Sequence, residues 1–317
     1  NFTQLRRLYV SAELGNPTRY LTSTVYIAQA NQKMPIKIFK SFREISQSRD
    51  AAKTLALVPT MGALHDGHLS LMKIAQQRCD LTMASIFVNP TQFGPSEDFA
   101  TYPRTLEQDL EALEYAGVDY VFTPSVDEMY PYGPRTTVNP GPIGDILEGA
   151  FRPGFFTGVA TVVQKLLIGI APHVAIFGEK DYQQLCVIRQ MVDDMHIPVT
   201  VIGGPTKRET SGLAMSSRNS YLNTDERMIA EQLHEKLITM RAKLWAHELP
   251  IVALAEYGQK LLLDCGFNKV DYVFLAHNDS LDACSEYSND SRILVAATIG
   301  RTRLIDNIAM MPPHNAS

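Results

Sequence analysis

Between residues 36 and 202 the chain alternates short apolar runs with longer stretches in which apolar residues recur every three or four positions. The runs at 36–39, 55–58, 81–88, 120–122, 174–177 and 199–202 have the length and content of buried strands, and stretches such as 106–116 and 159–170 read as amphipathic helices. That alternation predicts an α/β fold built on a doubly wound parallel sheet. After Gly203-Gly204-Pro205 the pattern changes. Helical spacing over 224–247 and 251–265 is followed by alternating segments at 270–275, 293–299 and 302–308, which predict a smaller α+β domain with an antiparallel sheet. The expected division is 34–208 and 209–317, the second part acting as a mobile lid over the first, with 310–317 frayed and Gly203, Gly204 and Gly212 as pivots between the parts.

Ligands of such sheets gather beyond the carboxyl ends of the strands, so the strand-end loops carry the candidate chemistry. After the run at 55–58 comes Pro59-Thr60-Met61-Gly62-Ala63-Leu64-His65-Asp66-Gly67-His68, then apolar residues at helical spacing. Glycine lets backbone approach a ligand closely, and the free N–H groups of a helix start attract an anion, so phosphate is the expected guest. His65 and His68, three apart, fall on one helix face and can reach one group. A zinc pair or two solvated residues would have the same spacing. Neither Walker A nor Gly-x-Gly-x-x-Gly is present. Asn89 to Phe93 and Gly178 to Asp181 also follow strands, so three stretches are expected to meet in one crevice.

Composition narrows the partners. With 29 Lys plus Arg against 34 Asp plus Glu, the 317-residue chain has a formal net charge of −5 and no long basic run, which argues against a nucleic-acid partner. Cys79, Cys186, Cys265 and Cys284 are far apart and form no Cys-x-x-Cys, as expected of reduced thiols in a cytoplasmic protein. No apolar run approaches the roughly 20 residues that cross a bilayer.

The element His65-Asp66-Gly67-His68, paired with Met215-Ser216-Ser217-Arg218, resembles the twin signatures of the nucleotidyltransferase superfamily that includes class I aminoacyl-tRNA synthetases. Three more stretches, Phe87-Val88-Asn89-Pro90-Thr91-Gln92-Phe93, Tyr102-Pro103-Arg104-Thr105 and Phe177-Gly178-Glu179-Lys180-Asp181-Tyr182-Gln183-Gln184, make the region 36–308 similar to the pantothenate synthetases. The resemblance implies a Rossmann-like fold of the HIGH-type nucleotidyltransferases and a homodimer. It implies condensation of pantoate with β-alanine through a pantoyl adenylate, with ATP as substrate and Mg²⁺ as its companion ion. It further implies ATP contacts from Met61, Gly62, Ala63, Leu64, His65, Asp66, Gly67, His68, Gly178, Glu179, Lys180, Asp181, Lys207, Met215, Ser216, Ser217 and Arg218. His65, His68 and Lys180 are the implied catalytic residues, His68 as proton donor and Lys180 as neutraliser of charge on phosphorus. The 216–218 loop is implied to close over the triphosphate, although Thr210-Ser211 stands where the family often has an acid before the glycine.

Gln92 and Gln184 match the family's pantoate-binding glutamines. Amides both donate and accept, which suits a hydroxy acid whose carboxylate must stay nucleophilic. Asn89 either shapes that pocket or caps the Asn-Pro turn. Asp109 either holds Mg²⁺ through water or lies on a solvated helix face. Lys180 competes with the ordinary reading of an exposed lysine. Two other functions fit the superfamily motifs: a nucleotidyltransferase that releases its activated product, which would need a basic pocket for a phosphorylated substrate, and a nucleotide sensor, which would not need His68 and Lys180. Residues 1–33 lie outside the resemblance and read as an extension or start-site artefact, with Arg6, Arg7 and Arg19 giving a faint likeness to a transit peptide.

Overall fold

In chain order the elements are β1 (Lys37–Phe39), α1 (Phe42–Ser48), β2 (Leu55–Thr60), α2 (Asp66–Gln76), β3 (Leu81–Ile86), α3 (Leu106–Ala116), β4 (Tyr120–Phe122), α4 (Val126–Met129), α5 (Glu148–Phe151) and α6 (Phe155–Ile170). They continue with β5 (Val174–Gly178), α7 (Tyr182–Asp194), β6 (Thr200–Gly204), α8 (Thr224–Ala230), α9 (Leu233–Trp245), α10 (Leu254–Asp264), β7 (Lys269–His277), β8 (Ser291–Ile299) and β9 (Thr302–Ala309). This computed structural model describes residues 35–94, 99–286 and 288–311. The expected extension at 1–33 lies outside them.

The first six strands form one sheet in the order β1-β4-β3-β2-β5-β6, every pair parallel. Strands β2 and β3 are buried at most positions, because helices cover both faces, and their near-continuous apolar runs follow from that. One face is covered by α1, α6 and α7, whose Phe156, Leu167, Leu185 and Ile188 pack on Leu55, Leu57 and Met83. The other is covered by α2 and α3 through Leu71, Met72 and Leu113 on Ala56, Val58 and Val121.

The second sheet, β7-β8-β9, is antiparallel as expected. Its one side takes α9 and α10, with Leu237, Met240 and Leu262 against Val273, Val295 and Leu304. The helical region expected over 224–247 is broken: α8 ends at Ala230 and a turn at Glu231 and Gln232 restarts the chain as α9. Met310 does not fray; it is 1% exposed in the second core, and 312–317 lie outside the described residues.

The other side of the small sheet is docked on the large one. Ala276 and Leu294 belong to the same core as Phe156 and Ile188, and Tyr272 and Phe274 pack against it. A polar clamp crosses beside them. Glu148, 6% exposed, accepts both Arg303 Nη atoms at 2.6 and 2.7 Å and the Tyr272 hydroxyl at 2.8 Å, while Arg303 Nε donates to Asp271 at 2.6 Å. The paired carboxylates hold the Arg303 guanidinium above its ordinary range, and burial beside Glu148 pushes the Tyr272 phenol up. The described residues therefore group as one compact unit.

Removing one member of a buried charge pair leaves the other without compensation, at a cost of about 3 kcal/mol. Glu148→Ala should lower unfolding stability by about that amount, measured by urea titration. A loss below about 1 kcal/mol would mean that the clamp contributes no more than an exposed pair.

Candidate active site

The order β1-β4-β3-β2-β5-β6 reverses direction between β2 and β5, so the loops leaving those strands diverge and open a crevice at their carboxyl ends. Four adjacent strand ends feed it: Asn89–Gln92 after β3, Met61–His68 after β2, Glu179–Asp181 after β5 and Lys207 after β6.

The loop after β2 turns on Gly62, at φ +84°, where an added Cβ would meet Asp109 Oδ2 at 3.0 Å. Here Asp109 corrects its expected place on a solvated helix face. It is 3% exposed, and its carboxylate accepts the backbone N–H of Ala63 at 3.0 Å and of Leu64 at 2.8 Å, with the Thr105 hydroxyl at 3.3 Å. Helix α3 thus pins the loop from behind. A carboxylate occupied in this way is a positioning group.

His65 is the N-cap of α2: its Nδ1 accepts the Gly67 N–H at 3.1 Å, and His68 Nδ1 accepts the His65 N–H at 3.4 Å. With both Nδ1 atoms accepting, both rings carry their proton on Nε2. The ring centroids are 4.1 Å apart, and a Cβ on Gly67 would strike the His65 ring at 2.7 Å, so only glycine lets that ring fold over the helix start. Burial, then Lys180, lowers the pKa of His65; burial and the neighbouring His65 lower His68 from 6.5 to about 3. The pair is neutral at physiological pH and offers N–H dipoles in place of charge.

The Asn89 side chain caps the turn at Pro90–Gln92 by accepting from Thr91 N at 3.3 Å, and it also accepts the Tyr130 hydroxyl at 2.8 Å. Its Nδ2 donates to Gln92 Oε1 at 3.1 Å, while Gln92 Nε2 reaches Met61 Sδ at 3.0 Å. Asn89 therefore caps the turn and also fixes Gln92. Helix α6 crosses this turn so closely that a Cβ on Gly158 would lie 2.3 Å from the Thr91 carbonyl oxygen. Lys180 is not an exposed lysine; its side chain is 19% exposed, with Asp181 Oδ1 at 3.6 Å from Nζ. The fourth loop is a hairpin, with Met215 N donating to the Lys207 carbonyl and Glu209 N to that of Leu213, turning on Gly212 at φ +93°. Ser216 caps the short turn that starts at Ser217 by accepting Arg218 N at 3.3 Å. Gly203 and Gly204, expected as pivots, lie inside β6 paired with Phe177 and Gly178, and a Cβ on Gly204 would meet Leu71 at 2.2 Å. A Cβ on Gly203 would meet Leu185 of α7 at 2.9 Å, so close packing of α2 on Gly204 and of α7 on Gly203 explains the two glycines.

A cavity of about 230 Å³ is lined by Met61, His65, Gly67, His68, Asn89, Gln92, Gly178, Lys180, Asp181, Gln184, Lys207 and Met215 to Arg218. Gly62, Ala63, Leu64, Asp66, Glu179 and Asp109 are not in its wall. Asp66 is exposed, and the Glu179 carboxylate turns to Arg292 at 3.5 Å. The sequence reading missed Tyr102 as a wall residue, whose hydroxyl meets Ser217 Oγ at 3.4 Å, and Arg152, whose guanidinium lies 3.6 Å over the Phe155 ring. The aromatic in Tyr102-Pro103-Arg104-Thr105 was the available signal for the first; none marked the second. A larger cavity of about 690 Å³ adjoins on the side of the small sheet and shares Arg152, Lys180, Gln184 and Arg218.

A doubly wound parallel sheet with a His-x-x-His helix start, a lysine after the next strand and a Met-Ser-Ser-Arg loop defines a Rossmann-like nucleotidyltransferase of the HIGH type. Residues 35–309 match the pantoate-beta-alanine ligase family, and the chain belongs to that family. The pantothenate synthetase of Idiomarina loihiensis is 49% identical over 275 residues, covering 86% of this chain and 97% of its own, and that of Hyphomonas neptunium is 45% identical over 290 residues, covering 89% and 99%. Among solved structures, pantothenate synthetase from Thermus thermophilus superposes with a TM-score of 0.83 at 42% identity, covering 87% of this chain and all of that one. The Francisella tularensis pantoate-beta-alanine ligase, complexed with beta-gamma ATP and beta-alanine, gives 0.73 at 37% identity, covering 87% and 98%.

The histidine pair generates a pH prediction. A ring that titrates at 6.5 when unfolded but only near 3 when folded binds a proton on unfolding throughout that interval, so its contribution makes stability fall as pH drops from about 6.5 towards 3. Nitrogen-15 NMR of labelled imidazoles should find His68 as the neutral Nε2–H tautomer from pH 7 down to below pH 5. Protonation of His68 near pH 6.5 would contradict the buried, neutral pair.

Proposed function

We propose that the protein condenses pantoate with β-alanine at the expense of ATP, forming a pantoyl adenylate and pyrophosphate first and pantothenate and AMP second. One observation carries this: His65, His68, Lys180 and Arg218 line the same cavity as Gln92 and Gln184, whose side chains are neutral amides. The donors suit a triphosphate, and the amides suit a hydroxy acid. A nucleotidyltransferase acting on a phosphorylated substrate would need cations where Gln92 and Gln184 stand. Relatives named as pantothenate synthetases, and the Francisella enzyme with an ATP analogue and β-alanine, support the assignment.

The carboxylate of pantoate attacks the α-phosphorus, a P–O bond forms, and the bond to the β-phosphate oxygen breaks with its electron pair leaving on pyrophosphate. Gln92, fixed by Asn89 and Met61, holds the acid through hydrogen bonds that leave its charge intact. Charge that gathers on the phosphoryl oxygens is met by Lys180 and by the histidine N–H groups, dipoles already aimed before reaction. With its ring neutral, His68 serves by donating a hydrogen bond. The amine of β-alanine then attacks the acyl carbon, and AMP leaves as the amide forms. Among the described residues no three His, Cys, Asp or Glu side chains gather as a metal cage, and Asp109 is engaged by backbone. Mg²⁺ therefore fits as an ion carried by the phosphates of ATP, with no protein carboxylate assigned to it.

The same reading has the enzyme act in the cytoplasm, on the strength of its unpaired cysteines, and as a homodimer, on the strength of the family resemblance; among the described residues no helix is long and apolar enough to cross a membrane. Sedimentation at one chain per particle would remove the dimer.

Pyrophosphate should exchange into ATP with pantoate present and β-alanine absent. In that assay Lys180→Ala should reduce the rate by roughly 10²-fold, whereas Gln92→Ala should raise the pantoate concentration needed for half-saturation far more than that of ATP. Exchange that requires β-alanine would refute the adenylate.

A mixed anhydride in contact with water is wasted, so part of the site must close. The part expected as the lid, 209–317, carries the small sheet that shares a core with the large one, and moving it whole is costly. The hairpin from Lys207 to Arg218, turning on Gly212, is the segment that closes in this account. Saturating ATP should slow amide hydrogen exchange across 207–218 and leave β7–β9 unchanged; unaltered exchange in the hairpin would rule the closure out.

A further inference from the structure

Strand β9 alternates as strands do, so consecutive side chains face opposite layers. Leu304 and Ile308 enter the second core, and Asp306 shares their face. Arg303 and Asn307 point the other way, to the large sheet, where Arg303 closes the clamp on Glu148. Asn307 is 4% exposed, and every polar atom of its amide is used. Its Nδ2 donates to the backbone carbonyls of Glu179 at 2.9 Å and Lys180 at 3.0 Å, and its Oδ1 accepts Arg292 Nη1 at 2.5 Å. Arg292 in turn lies 3.8 Å over the Tyr182 ring and reaches the Glu179 carboxylate. The two carbonyls belong to the single turn, Glu179–Asp181, between β5 and α7. Such a turn has few internal hydrogen bonds, and its orientation decides where the Lys180 ammonium points.

The neighbouring residue holds another piece of the same site. Asp306, 3% exposed, accepts Arg208 Nη1 at 2.6 Å and Nη2 at 2.9 Å, and Arg208 is the first residue after Lys207 in the phosphate hairpin. Adjacent residues of one strand thus grip the turn that bears Lys180 and the stem of the hairpin that bears Arg218.

We propose that Asn307 is a positioning residue for Lys180, and that β9, through Asp306 and Asn307, sets the distance between the lysine and the Lys207–Arg218 hairpin. The inference rests on the adenylation reading for its rate consequences, but the placement of Lys180 can be measured without any reaction. Asn307→Leu keeps the volume and removes both donors; Asn307→Ser, too short to span both carbonyls, serves if the leucine variant does not fold. In protein labelled with ¹³Cε-lysine, with the Lys180 resonance assigned by its loss in Lys180→Arg, that resonance should move in the Asn307 variant while other lysines stay. A displacement of about 1 Å can cost up to roughly 10²-fold in rate, so pyrophosphate exchange at saturation should fall by about tenfold or more with little change in the half-saturating ATP or pantoate. Because Asn307 acts through Lys180, adding the Asn307 change to Lys180→Ala should cost nothing further. An unmoved Lys180 resonance, or losses that multiply in the double variant, would overturn the proposal. If the wild-type chain performs no exchange at all, the reaction assignment fails and the resonance still decides whether Asn307 places the lysine.

Discussion

The side-by-side pairing of β2 and β5 is the constraint on which the site depends. These strands are separated in sequence by two βα units, yet Ala56 pairs with Val174 and Leu57 with Ala175. The pairing is short, and His173 extends it by accepting the Leu55 N–H on Nδ1 at 3.0 Å while donating its own N–H to the Leu55 carbonyl at 2.8 Å. Because the strand order reverses at this seam, the loop after β2 and the turn after β5 leave it on facing sides, and the histidine pair meets Lys180 across a cavity. Strands β3 and β6, next outward, add Gln92 and the Lys207–Arg218 hairpin.

The electrostatics follow from this placement. Rings on the crevice floor lose water, and a nearby ammonium adds repulsion, so imidazolium is disfavoured and the histidines contribute dipoles. Fixed charge enters from turn-borne groups instead: Lys180 on the turn, Arg218 at the end of a hairpin. Such a division suits a reaction in which a triphosphate must be bound, one anion expelled and a second retained, since a site saturated with permanent cations would hold pyrophosphate as firmly as ATP. Backbone restraint supplies the precision. Asp109 fixes the loop after β2 from α3, Asn89 fixes Gln92, and Asn307 fixes the turn after β5.

Elements set by hydrophobic pattern were legible in the sequence to within a few residues, because burial on both faces imposes the apolar runs that mark β2, β3 and β5. Strand-end loops bearing His65, His68, Gln92 and Lys180 were legible for a related reason: the fold class dictates where ligands gather. What escaped were long-range polar contacts. Nothing near Asp109, which sits among Glu107 and Glu111, announces that two loop N–H groups arrive from 46 and 45 residues away. Asp306 and Asn307 interrupt the apolar pattern of β9, a visible signal, but their partners lie in other elements. Gly203 and Gly204 read as pivots in the sequence, and only the proximity of Leu71 and Leu185 favours packing over hinge motion. The helical region after residue 224 was continuous in pattern and broken in space, since periodicity registers a shared apolar face better than a change of axis.

The central claim is that the carboxylate of pantoate attacks the α-phosphorus in this cavity. Supplying pantoate labelled with ¹⁸O in both carboxylate oxygens, with ATP and β-alanine, tests it most directly through mass spectrometry of the nucleotide product. The account predicts AMP carrying one labelled oxygen and pyrophosphate carrying none. Unlabelled AMP, or label in pyrophosphate or inorganic phosphate, would contradict it.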